Sequence, residues 1–465
     1  MPLVMGVDSS TQATKVEVRD ADTGALVGSG RAPHAMTSPP RSEQYPEDWW
    51  DALLAASRIA ERDHAADAVS VAAQQHGLVV LDASGSVIRP AKLWNDTESA
   101  PDAGWLRGQL DGGAAAWAQA CGSVPLAAFT ITKLSWLHRS EPEAFARIAR
   151  VGLPHDWLAW RLTGEWTTDR GDASGTGYWS PAEGRWRTDL LEIVDADTDW
   201  TAALPTVLDP VAATGTGDNM AAALGLGLRP GDVAISLGTS GTVFAVADAP
   251  TADPSGAVAG FADATGRFLP LVCTLNATRV TNAVARLLGA DLAKLDALAA
   301  EAAPGADGVT LLPYFDGERT PDRPDATGLV TGLRTGVTRE AFARAAFEGV
   351  VCGLLDGLDA LRAAGVPVDD GRVFLVGGGA QSPMYRRVVA DLSQRVITVP
   401  DAAELVVLGA AVQASARLTS RPIAEVQDAW AVGAGHHTEP AIDADTAAEI
   451  RAAYASVRGG AELDA

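Results

Sequence analysis

The sequence predicts an α/β fold built as two copies of one domain, and three observations carry that expectation. Strand-like apolar stretches alternate with stretches whose apolar residues recur at spacings of three and four, the pattern of strands interleaved with amphipathic helices. The chain has 465 residues, too many for one hydrophobic core of ordinary size. A strand–turn–strand segment near the start, "LVMGVDSSTQATKVEV", has an echo 228 residues later in "DVAISLGTSGTVFAVAD", where Ser236 takes the place of Asp8 and Thr239 that of Thr11. Two matched hairpins half a chain apart suit two like domains facing each other across a cleft, divided as 1–217 and 218–465.

Helices are expected over 46–62, 142–151, 279–288, 338–364 and from Asp445 onward, and ordered loops over 32–46 and 315–328. Apolar residues make up 47% of the chain and charged residues 20%, which suits a soluble globular protein. The net charge of −23 repels phosphate backbones and anionic lipid, so nucleic-acid and membrane-surface binding are not expected. ATP is not excluded, because a nucleotide needs only a local cluster of amides, a metal ion and a cation. Cys121, Cys273 and Cys352 are far apart in apolar surroundings and read as reduced packing residues. No stretch is long and apolar enough to span a bilayer, and the first residues lack the basic start and apolar run of a signal peptide. A cytoplasmic protein is expected.

Each hairpin supports a specific chemistry. A strand that ends in small residues presents backbone amides in a tight turn, where Gly, Ser and Thr let a phosphate approach closely. Asp8 at such an edge can orient Mg2+, and Lys15 can add charge toward the phosphates. Either hairpin alone reads better as an ordinary turn; as a pair in equivalent places they favour phosphate binding. In "VFLVGGGAQSPMYRRVVADLSQ" a strand runs into Gly377, Gly378 and Gly379 and then a helix, an arrangement on which a nucleotide can lie. The spacing is neither a dinucleotide fingerprint nor a Walker A loop, and a triple glycine alone is more often a tight turn.

"VAAQQHGLVVLDASG" places Gln74, Gln75 and His76 just past a short strand, where ligand groups sit in α/β folds. Their amides and ring nitrogens suit sugar hydroxyls; on this stretch alone, a histidine that caps a neighbouring carbonyl reads better. "KLWNDTESA" adds Trp94, Asn95 and Asp96, a ring face beside hydrogen-bonding groups, although packing is the commoner task among 13 tryptophans. In "TGTGDNMAAALGLG", Asp218 precedes an Ala-rich helix start. It reads as an N-cap or as a general base, and both stay open.

Taken in order, "GVDSSTQATKVEV", "AAQQHGLV", "LWNDTESA", "TKLSWL", "LPHDWLAWRLTGEWTTDRGDASGT", "GTGDNMAAALGLG", "SLGTSGTVFA", "PYFDGERTP", "TGLRTGVTREAFARAAFEGV" and "LVGGGAQSPMYR" resemble the FGGY family of carbohydrate kinases over almost the full length. The resemblance implies a duplicated actin-like (ribonuclease-H-like) fold, with ATP and Mg2+ as cofactors. The implied reaction is ATP-dependent phosphorylation of a ketopentose, D-xylulose first, with ribulose, gluconate and glycerol as alternatives. Asp218 then matches the base that deprotonates the sugar hydroxyl, and Asp8 the aspartate of the Mg-phosphate site. Gln75 and His76 match the sugar-contact pair, with Trp94, Asn95 and Asp96 beside it. Thr11, Gln12 and Lys15 in one hairpin and Gly238, Thr239 and Ser240 in the other match the phosphate loops. Gly378, Gly379 and Ala380 match the adenosine side. Two positions depart from the family pattern: the pair commonly reads Met-His where this chain has Gln75-His76, and an arginine commonly stands at Glu98. The partners implied are a sugar and ATP, and a homodimer is compatible. A non-catalytic actin-like assembly protein would share the hairpins and the glycines, but has no reason to hold "QQHG", "WNDT" and Asp218 together.

Overall fold

The computed structural model describes residues 2–62 and 64–463. Two compact units account for the chain. The first takes residues up to Leu228, then Val246–Pro270 and Ala402–Gly433; the second takes Arg229–Ala245, Leu271–Asp401 and the chain from Ala434 onward.

The first unit is built on a mixed sheet of β1 (Leu3–Ser9), β2 (Ala13–Asp20), β3 (Leu26–Pro33), β4 (Ala68–Ala73) and β5 (Gly215–Gly217), in the order β5-β4-β1-β2-β3. β1, β2 and β3 form an antiparallel meander, while β4 and β5 run parallel to β1. The second unit repeats this plan with β6 (Val233–Leu237), β7 (Gly241–Ala245), β8 (Phe268–Thr274), β9 (Val373–Val376) and β10 (Ile397–Pro400). Five strands of its seven-stranded sheet run β8-β7-β6-β9-β10, with the same senses, and β11 (Gly435–Thr438) adds antiparallel to β10. The echo between the hairpins is therefore an echo of whole sheets.

One face of the first sheet packs Val7, Val16, Val18 and Val71 against Trp49 and Leu53 of the helix Pro46–Glu61. Its other face receives the helix Leu405–Thr419, through small residues. Val4 and Ala21 meet Ala411 and Ala414, and Ala72 meets Ala221 and Ala410. The approach is close enough that a Cβ on Gly6 would lie 2.2 Å from the Val407 carbonyl oxygen. A Cβ on Gly409 would lie 1.8 Å from that of Ala221, in the helix Asp218–Leu226. This packing draws 218–228 and 402–433 into the first unit, so the compact units are not the contiguous pieces 1–217 and 218–465.

Helices form at Pro46–Glu61, Thr278–Leu287, Arg339–Ala363 and Ala444–Leu463, close to the expected spans. The span 142–151 is a correction. Its helix stops after Pro142–Phe145, and Arg150–Gly152 pairs antiparallel with Val79–Leu81. The apolar spacing of Phe145, Ile148 and Val151 mimics a helix, but Val151 is wholly buried as part of that ladder. Cys121 and Cys352 are buried cysteines outside any disulfide, and Cys273 is half-buried. No helix among the described residues is long and apolar enough to cross a membrane.

Candidate active site

In the first unit the parallel strands end level with one another. Asp8 of β1 stands beside Ala72 of β4, which pairs with Thr216 of β5. Asp8, the Gln74–His76 turn and Asp218 thus leave the same carboxyl edge of the sheet, the edge where α/β sheets hold ligands. Asp8 is buried, and its Oδ1 has no hydrogen-bond partner. Its Oδ2 lies 3.7 Å from Lys15 Nζ, which pairs more tightly with Glu404 at 2.6 Å. Burial outweighs the Lys15 charge and, with Glu404, pushes the Asp8 carboxyl up to about 6.

Asp218 is the first residue of its helix. The N-cap is Gly217, and the Asp218 side chain turns instead to Asn219, with Oδ1 accepting from its backbone N–H at 2.8 Å and from Nδ2 at 3.2 Å. Between the two readings of this residue, the cap is taken by its neighbour. Burial, and then the charge of Asp8, push the Asp218 carboxyl up to about 7, the range a general base needs near neutral pH. Asn219 Nδ2 also donates to Gln75 Oε1 at 2.8 Å.

His76 has a left-handed backbone (φ 67°), and its ring lies between Phe129 and Phe261, centroids 5.1 and 5.5 Å away. Its Nδ1–H donates to the Gly175 carbonyl at 2.7 Å, which fixes the ring's orientation. Thr130 Oγ1 and Lys133 Nζ both donate to the His76 carbonyl at 3.2 Å and hold the unusual backbone in place. Trp94 is exposed, and its indole N–H reaches Thr11 Oγ1 at 2.9 Å; that hydroxyl donates to Gln74 Oε1 at 3.2 Å. Trp94 and Asn95 line an open pocket with Ser10, Thr11, Gln12 and Lys15, and Asn95 Oδ1 is buried there without a partner. Asp96 is different. It is wholly buried, and its oxygens accept from the Ser42 and Glu98 backbones and from Lys92, so it braces the loop beneath Trp94 and Asn95.

The second unit ends its parallel strands in the same way, with Ser236 of β6 level with Val376 of β9. Past these ends lie the hairpin tip Gly238–Ser240 and the turn Gly377–Gly379. The start of the helix Thr278–Leu287 anchors the tip, since Thr278 donates to the Gly238 carbonyl through N at 3.0 Å and through Oγ1 at 2.8 Å. Thr239 and Gly378 are exposed, with open space where a Gly378 side chain would begin. Gly379 and Ala380 are buried; a Cβ on Gly379 would lie 2.7 Å from that of Leu237.

Sequence models of the FGGY family of carbohydrate kinases match residues 3–247 (N-terminal domain) and 233–418 (C-terminal domain). The chain belongs to the FGGY family of carbohydrate kinases. The chain is 49% identical over 463 residues to the xylulose kinase of Streptomyces coelicolor, covering 95% of this chain and 93% of that protein. Among solved structures it is similar to the xylulose kinase of Bifidobacterium adolescentis (39% identity, TM-score 0.86, 98% and 99% of the two chains). It is also similar to the Brucella ovis protein described as a xyloylose kinase (29%, TM-score 0.91, 100% of both chains). The duplicated sheets are thus the actin-like fold of FGGY sugar kinases.

In this FGGY kinase, several of the residues closest to the site carried no assigned role in the sequence reading. Asn219 hides in "GDN" behind the more conspicuous Asp218. Thr130 and Lys133 lie in "TKLSWL", where a lysine reads as surface; Lys133 is wholly buried on the carbonyls of His76, Ala127 and Ala128, and burial pushes its ammonium down to about 7. Asp172, in "TTDRGDASGT", is wholly buried, and burial with the nearby Asp156, Asp169 and Asp218 charges raises its carboxyl well above the usual range. Phe261 stands far along the chain from His76, and nothing local could have paired them.

Proposed function

We propose that the protein transfers the γ-phosphoryl group of ATP to the terminal hydroxyl of D-xylulose, giving D-xylulose 5-phosphate and ADP. The observation that carries the chemistry is Asp218, a carboxyl lifted to about 7, freed from helix capping and set beside Asp8 and Gln75 at the strand ends. The identity with the Streptomyces enzyme over nearly the whole chain supports the choice of sugar.

In this reading Asp218 accepts the hydroxyl proton as the sugar oxygen attacks. The oxygen–γ-phosphorus bond forms, the bond to the β-phosphate oxygen breaks, and ADP leaves. Gln75 and His76 hold the sugar, and Trp94 and Asn95 flank it. Gly238, Thr239 and Ser240 meet the phosphates through the hairpin tip, as do Thr11 and Gln12 in the first hairpin. Gly378 lies under the nucleoside, while Gly379 and Ala380 shape the turn from below. The unpartnered Oδ1 of Asp8 fits Mg2+, which there would offset phosphate charge. Lys15 acts through Asp8 and Glu404, its nearest charges. A cytoplasmic location, where ATP is abundant, and a homodimer belong to the same reading.

A coupled ADP-release assay over D-xylulose, ribulose, gluconate and glycerol tests it. The highest kcat/KM is expected with D-xylulose. A higher value with another of these overturns the sugar, and no ADP release with any of them overturns the activity.

A further inference from the structure

The environment of Gln75 contains more than a sugar contact requires. Its side chain is buried and its two ends differ: Oε1 accepts from Asn219 Nδ2 at 2.8 Å, while the buried Nε2 faces the Asp172 carboxylate, whose charged form it favours. Asn219 directs the same Nδ2 at Asp218 Oδ1, 3.2 Å away, and its backbone N–H reaches that oxygen at 2.8 Å.

We propose that Asn219 is a positioning residue that ties the base to the sugar contact, fixing the carboxylate of Asp218 and the amide polarity of Gln75 through one NH2 group. The proposal rests on the kinase reading above. An ionised carboxylate only accepts hydrogen bonds, so it must face the Nδ2 of Asn219 and not its oxygen. The second hydrogen of that NH2 then requires an acceptor, so Gln75 must turn its oxygen toward Asn219. Gln75 therefore presents Nε2 as a donor, with one hydrogen toward the Asp172 carboxylate and the other left for a sugar oxygen acting as acceptor. The two donors of Asn219 converge on Oδ1 of Asp218, which leaves Oδ2 outside the clamp as the oxygen that takes the proton. Gly217 keeps the arrangement tight, since a Cβ there would lie 2.7 Å from Gln75 Cγ. A buried amide chain of this kind has two self-consistent orientations, and the charge on Asp218 selects one of them.

A double-mutant cycle with Asn219→Ala and Gln75→Met tests the link. Asn219→Ala is expected to lower kcat about tenfold and raise the sugar KM, with the ATP KM within about twofold of wild type. Gln75→Met is expected mainly to raise the sugar KM. Because both changes cut one chain, the loss in kcat/KM for the double variant should be at least about threefold smaller than the product of the single losses. Asn219→Asp gives a second, sign-reversing readout. It keeps the shape but sets an oxygen against both Asp218 Oδ1 and Gln75 Oε1, so it should be less active than Asn219→Ala. A residue that only fills space would give the opposite order. Multiplying losses, an equal rise in the ATP KM, or Asn219→Asp above Asn219→Ala would each overturn the proposal. If the wild-type protein phosphorylates none of the sugars, the kinase reading fails instead, and the same cycle is read in thermal unfolding, where additive melting shifts overturn the link.

Discussion

Lys15 Nζ sits 2.6 Å from Glu404 and 3.7 Å from Asp8, so a cation that reads from the sequence as a phosphate ligand is shared between two carboxylates. Glu404 adds to the rise of the Asp8 carboxyl, while Lys15 opposes it. Replacing Glu404 with Gln removes a negative charge from the neighbourhood and leaves Lys15 to Asp8. The Asp8 carboxyl, now near 6, should fall toward its ordinary value and stay ionised at lower pH. The acid limb of kcat/KM for ATP should then move to lower pH in Glu404→Gln. An unshifted limb would mean that Asp8 does not govern nucleotide use.

Asp218 ties activity and stability together. Asp218→Asn keeps the acceptor oxygen for Asn219 but cannot take a proton, so kcat should fall by about 10² to 10⁴, with binding of Mg-ADP intact by calorimetry. In the wild type, kcat should rise with pH through about 7, as the carboxyl ionises. Stability should run the other way. Between the ordinary carboxyl value and about 7 the folded chain holds a proton that the unfolded chain has lost, so stability is fully present below that window and declines as pH rises through it. Asn carries no such cost, and Asp218→Asn should melt above wild type at pH 8, with the gap closing toward pH 4. Near wild-type turnover in a folded Asp218→Asn variant would remove Asp218 from the mechanism.

Glu98, the residue at which the sequence departs from the usual arginine, is held between two cations. It accepts from the wholly buried Lys92 at 2.6 Å and pairs with Arg41 at 3.1 Å, while Lys92 also meets Asp96 and Glu43 at 3.1 Å each. Glu98→Arg would set a third cation against those two. Stability should fall by about 3 kcal/mol, the scale for breaking a buried ion pair, and the ratio of kcat/KM between sugars should stay unchanged in the folded fraction. A changed sugar preference at unchanged melting temperature would return Glu98 to the specificity determinants.

These cases mark what a sequence can convey. The two hairpins, and the placing of Asp8, Gln75, His76 and Asp218 just past strand ends, are legible because strand ends and small-residue turns are local patterns, and the hairpins recur half a chain apart; the roles proposed for those four side chains are chosen among alternatives only through the family resemblance. The fates of Lys15, Asp96 and Glu98 are not local. Lys15 is decided by Glu404, far along the chain, and Asp96 and Glu98 by a buried Lys92 close by together with Ser42 and Arg41 on another loop, which spacing cannot locate. The same reason hides the return of 402–433 to the first unit: the helix Leu405–Thr419 presents alanines and Gly409, a pattern with little apolar contrast, and its place is set by the close approach at Gly6 of β1 and at Gly409. The miscast helix over 142–151 shows the reverse failure, a spacing of apolar residues satisfied by a strand.

The triple glycine offers a test in which neighbouring residues should behave oppositely. Gly377 has φ 86°, and a Cβ there would lie 2.7 Å from the Leu237 carbonyl oxygen, so the turn itself requires glycine. Gly379 is also confined, with Leu237 Cβ at 2.7 Å and Thr278 Cγ2 at 2.9 Å from any added Cβ. Gly379→Ala should therefore lower the melting temperature, because its neighbours must shift in a packed interior. Gly378 is exposed, and nothing lies within 4 Å of its added Cβ. Gly378→Trp should leave the melting temperature within a degree or so of wild type, yet raise the Kd for Mg-ADP about tenfold or more by filling the space assigned to the nucleoside. The sugar KM should be unaffected, since the proposed sugar contacts, Gln75 and His76, lie on the first unit. Calorimetry with Mg-ADP and a thermal melt on each variant separate the two effects. Unaltered nucleotide affinity in Gly378→Trp would mean that the nucleotide does not lie on this turn, and the phosphate role proposed for Gly238–Ser240 would need another partner for the base.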